Sequence, residues 1–176
     1  MEPFPGAWTA YVILAFVAAQ RLAELWLANR NTRALLAAGG EEHGAGHYPL
    51  FVLLHGGWLI AMAGAVSGDT LVHWPLIALF LLLQLGRLWV IRSLGRYWTT
   101  RVISVPDAPL VSRGPYRWLR HPNYLVVALE IPTLPLAFGF WWIAAVFGVL
   151  NLLLLGYRIR FEDRVLAVRR GGRTGG

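Results

Sequence analysis

The chain has 176 residues, enough for one domain, and its composition of 57% hydrophobic and 14% charged residues with a mean hydropathy of +0.53 excludes an ordinary soluble domain. It has no cysteine, which removes disulfides, thiolate nucleophiles and cysteine metal sites together. The net charge of +7 comes entirely from arginine against acid, with no lysine, and in so apolar a chain that balance reports membrane topology rather than nucleic acid binding.

Trp8 to Leu27 is the first apolar segment, about 20 residues or roughly 30 Å of helix, enough to span a bilayer. Its only preceding charge is Glu2, and no small-residue cleavage site follows before Arg21, so it is expected to stay in the mature protein. Arg21 and Glu24 are spaced i, i+3 on one face, as an interfacial ion pair or a functional one. Asn29 to His47 reads as a polar, glycine-rich cytoplasmic loop. His43 and His47 would form a metal pair only on a helix, and Gly44 and Gly46 between them argue against one. Tyr48 to Val66 and Leu71 to Val90 are the second and third spans. His55, Gln84 and Arg87 lie within them and need partners, either in helix packing or in a cavity. Ile91 to Arg120 carries six arginines, and Pro106 and Pro109 break any continuous helix, so it is expected to be the principal cytoplasmic loop.

That loop closes on Gly114-Pro115-Tyr116-Arg117-Trp118-Leu119-Arg120-His121-Pro122-Asn123-Tyr124. Pro122 disfavours helical geometry at His121 and suits the first position of a helix, so His121 is expected at an N-cap, where an anion can bind. Pro122 to Phe138 and Phe140 to Tyr157 are the fourth and fifth spans, a tight antiparallel hairpin turning at Gly139. Pro132 and Pro135 free carbonyls a turn back, and Glu130, about 12 Å in, needs a partner such as Arg87. Fourteen arginines lie in the loops after the first and third spans and in the tail. The expected fold is therefore an all-α integral membrane protein with five transmembrane helices, N-terminus outside and C-terminus cytoplasmic. Residues 1–93 are expected as a three-helix scaffold, 94–166 as a cofactor loop and catalytic hairpin, and 167–176 as a basic flexible tail.

Arg158 and Glu162, i and i+4 at the end of the fifth span, converge on the same face as His121, Asn123, Tyr124 and Tyr116. Residue types alone leave open an interfacial belt of arginine, tyrosine and tryptophan. The ordered set Leu110-Val111-Ser112-Arg113-Gly114-Pro115-Tyr116, then Arg120-His121-Pro122-Asn123-Tyr124, an apolar hairpin, Arg158, and Glu162-Asp163-Arg164-Val165-Leu166 resembles the isoprenylcysteine carboxyl methyltransferase family. The resemblance covers Tyr97 to Leu166. It implies an integral membrane enzyme using S-adenosylmethionine, with the cofactor at Leu110, Val111, Tyr116, His121, Pro122, Asn123, Tyr124 and Glu162 and with Arg158 facing the acceptor. Two departures from the family pattern are Asp163, where a second glutamate is usual, and a short basic tail in place of a further amphipathic segment.

The reaction so implied is in-line methyl transfer to an oxygen that Arg158 keeps anionic, governed by orientation and desolvation. Similar bacterial chains, including the Arg96-Tyr97-Trp98-Thr99-Thr100-Arg101 stretch, are associated with long-chain polyketide lipids, which points to an alkylpyrone or alkylresorcinol hydroxyl as acceptor. A prenylcysteine-like carboxylate stands second. Phospholipid N-methylation, membrane enone or sterol reduction and a non-enzymatic scaffold are the rivals. The expected location is the bacterial cytoplasmic membrane, with the site facing the cytoplasm.

Overall fold

The computed structural model describes residues 6–43, 48–105 and 111–171. Five helices carry most of these: α1 (Gly6–Ala37), α2 (Tyr48–Ala65), α3 (Trp74–Leu94), α4 (Pro122–Ala137) and α5 (Trp141–Gly171). Three segments, Gly6–Ala37, Trp74–Tyr97 and Trp141–Glu162, are long and apolar enough to cross a membrane, and Pro49–Ala65 is a shorter apolar helix. Large apolar side chains stay exposed around them, among them Trp8, Phe16, Leu22, Leu82 and Leu153. A helix apolar on all sides belongs in lipid.

The all-α expectation needs one correction. Glu41–His43 (β1) and Val102–Ser104 (β2) pair antiparallel, with Glu42 opposite Ile103. The ribbon joins the connection after α1 to the one after α3. The Arg101 guanidinium holds Glu42 at 3.0 Å and the His43 ring shares a 2.7 Å hydrogen bond with Ser104 Oγ, so His43 serves the ribbon. His47, Gly44-Ala45-Gly46 and Pro106 to Leu110 lie outside the described residues.

A second correction concerns length. Helix α1 does not end at Leu27 but runs to Ala37, because the segment read as loop buries Ala28, Asn31, Thr32 and Leu35. Asn31 Nδ2 donates to the carbonyls of Gly95 (3.1 Å) and Trp98 (2.9 Å), satisfying backbone left open by the short 3-10 turn Gly95–Tyr97 after α3. Helix α5 likewise continues past Tyr157 to Gly171.

Helix α4 is the centre of the bundle, with Glu130, Ile131, Leu134, Pro135 and Ala137 all buried. It packs between α3 and α5 and joins α5 through Gly139, whose φ of +78° permits the expected tight hairpin. Pro135 cannot donate to the Ile131 carbonyl four residues back. The buried Trp58 of α2 fills that vacancy, its Nε1 donating to Ile131 O at 3.0 Å. Gly114 is equally constrained: φ is +60°, and a methyl there would fall 2.0 Å from Ser93 Oγ on α3.

Trp58→Phe keeps the bulk and removes only the donor. It is expected to lower stability in detergent by about 1 kcal/mol, read as a lower unfolding midpoint. An unchanged midpoint would show that the Ile131 carbonyl has another donor.

Candidate active site

Arg21, Glu24, Gln20, Gln84, Arg87 and Glu130 form one buried network across α1, α3 and α4. Arg87 of α3 grips Glu130 of α4 through Nε (3.0 Å to Oε1) and a second, shorter contact from Nη2 to Oε2, and its Nη1 reaches Glu24 of α1 at 3.0 Å. Arg21 donates to Glu24 at 2.8 Å and to Glu130 at 3.2 Å. Gln84 Nε2 donates to Glu130 Oε1 (2.6 Å), and Gln20 Nε2 to Gln84 Oε1 (2.8 Å). The expected Arg21–Glu24 and Arg87–Glu130 pairs are thus halves of a single cluster of two cations and two anions.

A chain of contacts nearer the helix ends builds the second feature. The Arg158 guanidinium can only donate, so its Nε donates to Tyr124 OH at 2.9 Å, and that hydroxyl donates to the Glu162 carboxylate. The Tyr124 ring stacks on His121 (5.2 Å, 17° between planes), and the Arg158 guanidinium carbon sits 5.2 Å from the Phe51 ring centre. The two terminal nitrogens of Arg158 make no hydrogen bond among the described residues. His121 is the N-cap of α4 and Pro122 its first residue, as expected.

Both features open into one cavity of about 510 Å³, within the usual size of small-molecule sites. Of the expected residues, Tyr116, His121, Asn123, Tyr124, Arg158 and Glu162 line it together. Pro122 is buried in the helix start, and Val111 is half-buried and lies off the cavity wall. Leu110 is outside the described residues. Residues 97–104 form another wall, and Arg21, Glu24, Arg87, Phe51 and His55 line it from the first three helices. In the sequence Arg21 and Glu24 read as a pair, and His55 and Arg87 are left open between helix packing and a cavity, whereas Phe51 carries no signal in its apolar helix.

Burial, and secondarily the Glu162 carboxylate, push the Tyr116 phenol well above its ordinary value, so it stays protonated and able to donate. Asn123 Oδ1, Thr100 Oγ1 and Trp98 Nε1 are buried, have no partner among the described residues and belong to residues on this wall. Orphaned donors and acceptors around a cavity are what a polar ligand would satisfy.

The family model of the isoprenylcysteine carboxyl methyltransferase family matches residues 76–168. The chain belongs to this family. It is also 35% identical over 160 residues to the uncharacterised protein YpbQ of Bacillus subtilis, an alignment covering 89% of this chain and 95% of that one. No solved structure matches. Isoprenylcysteine carboxyl methyltransferases are membrane enzymes that use S-adenosylmethionine. The cavity fits such a molecule in character: it offers a helix N-terminus, a carboxylate, and orphaned donors and acceptors.

For Tyr116 the sign of the pH effect is fixed. Its folded value lies above the unfolded one, so the stability it contributes is complete below pH 10.0 and is lost as pH rises past that point, where the unfolded chain releases the proton first. Tyr116→Phe is expected to flatten the fall of stability above that pH, measured by unfolding in detergent. An unchanged slope would show the phenol to be solvated.

Proposed function

We propose that this chain is an S-adenosylmethionine-dependent O-methyltransferase acting on a lipid-like acceptor, an alkylpyrone or alkylresorcinol hydroxyl. The observation that carries this reading is Arg158, on the wall of a cavity lined by both polar and apolar side chains, with its terminal nitrogens making no hydrogen bond among the described residues. S-adenosylmethionine supplies an electrophilic methyl group when bound. His121, Asn123 and Tyr116 would bind its charged amino-acid end beside the start of α4, and Glu162 would accept from its hydroxyls or ammonium. Arg158 holds the acceptor oxygen as an anion, and Tyr124 fixes the guanidinium's direction through the Nε contact.

Leu22, Leu25, Val52, Leu59, Val127 and Leu155 give the cavity an apolar lining suited to a hydrocarbon-bearing ring. In this reading the arginine-rich end of the bundle, where the site lies, faces the cytosol by the positive-inside bias, in a bacterial cytoplasmic membrane.

Purified protein with methyl-labelled donor is expected to label long-chain alkylpyrones or alkylresorcinols. Label on a phospholipid amine, or on no lipid-like oxygen, would overturn the proposal. Glu162→Ala and His121→Ala are expected to weaken donor binding about tenfold by calorimetry. Arg158→Ala is expected to retain that binding and lower turnover by about 100-fold or more.

A further inference from the structure

His55 of α2 lies on the wall of the same cavity and has no part in the mechanism above. Its Nδ1 is 2.8 Å from the Phe51 carbonyl oxygen. A carbonyl can only accept, so Nδ1 carries the hydrogen. In the neutral ring this leaves Nε2 as a bare lone pair, and Nε2 has no partner among the described residues. Phe51, one helical turn away, is the residue over which the Arg158 guanidinium sits. Arg158, Phe51 and His55 therefore follow one another along the cavity, anion holder first and lone pair last.

From this arrangement we infer that His55 Nε2 is the general base that takes the acceptor's hydroxyl proton. The inference rests on the methyltransferase reading and narrows it to acceptors that arrive as a neutral hydroxyl. A carboxylate arrives already ionised, but transfer to a hydroxyl liberates a proton that needs a destination. As the oxygen lone pair forms the new C–O bond, the methyl–sulfur bond breaks with its electrons passing to sulfur. The O–H proton moves to His55 Nε2, and the imidazolium later yields it to water through the open end of the cavity.

The charged groups around the ring come from every neighbouring helix: Arg21 and Glu24 of α1, Arg87 of α3, Glu130 of α4 and Arg158 of α5. The first four cancel in pairs. Arg158 remains as the cation that stabilises the oxygen while the proton leaves it.

His55→Asn places an amide N–H where Nδ1–H was, so it can still donate to Phe51 O, but it has no basic lone pair. Wild type and variant would be assayed on a series of long-chain alkylphenols of graded acidity and on a long-chain carboxylate, with donor affinity measured by calorimetry to establish that the variant is folded. The variant is expected to lose about 100-fold in kcat on the least acidic phenol and progressively less as acidity rises. An equal loss across the series would overturn the base while leaving the methyltransferase standing. Failure of the wild type on every acceptor would overturn both. Wild-type protein gives a reading independent of the variant's folding: a normal solvent deuterium isotope effect on the phenols and none on the carboxylate is expected, and its absence on the phenols would overturn the inference.

Discussion

The structure depends on the buried quartet of Arg21, Glu24, Arg87 and Glu130. Two cations and two anions in a lipid-facing bundle are costly to desolvate, and apolar residues of similar size would often serve stability as well. The quartet is therefore poor evidence of added stability, but it is strict in another respect. Losing any member would leave an uncompensated buried charge, at a cost of about 3–5 kcal/mol. Each member also sits on a helix that must be in register for the others to pair: α1 supplies Arg21 and Glu24, α3 supplies Arg87, and α4 supplies Glu130. Arg21, Glu24 and Arg87 line the cavity and Glu130 stands behind them, so the charges on that side sum to zero.

A neutral wall gives Arg158 its weight. A direct bond between Arg158 and Glu162 would cancel their charges where, on the proposed reading, an anion has to bind. Tyr124 stands between them instead, accepting from Arg158 and donating to Glu162, so the two charges are linked in orientation but not merged. The carboxylate and the guanidinium both stay on the cavity wall, and on the proposed reading the terminal nitrogens of the guanidinium are kept for the acceptor. Low dielectric strengthens both interactions.

Features governed by local chemistry were legible in the sequence. Proline at 122 dictated the N-cap at His121, Gly139 dictated the hairpin, and the missing donor of Pro135 announced an open carbonyl. What could not be read was which distant group completes each local need. Nothing near Pro135 says that Trp58 supplies the missing hydrogen bond, and nothing near Asn31 says that its amide closes the turn after α3. The helix extension to Ala37 was hidden for the same reason, since its residues look polar until Asn31 and Thr32 are seen buried. The site was half legible: its motif residues stand together in sequence, whereas Phe51 and His55 lie in an apolar helix and enter the cavity only through packing.

Helix α4 ties these levels together. Its first turn presents Tyr124 to Arg158 and Glu162, and Glu130, six residues on and about 9 Å along the axis, enters the quartet. One helix thus fixes the spacing between Tyr124 on the cavity wall and the charged but neutral quartet. Trp58 closes the proline-opened carbonyl at Ile131, next to Glu130, and so ties α2, the helix bearing Phe51 and His55, to the same frame. On the proposed reading, the oxygen to be methylated lies between groups whose separation is set by α4 and α2 together. The distance from anion holder to proton acceptor is then a property of helix packing rather than of loop conformation, which is the rigid support that orientation-based catalysis requires.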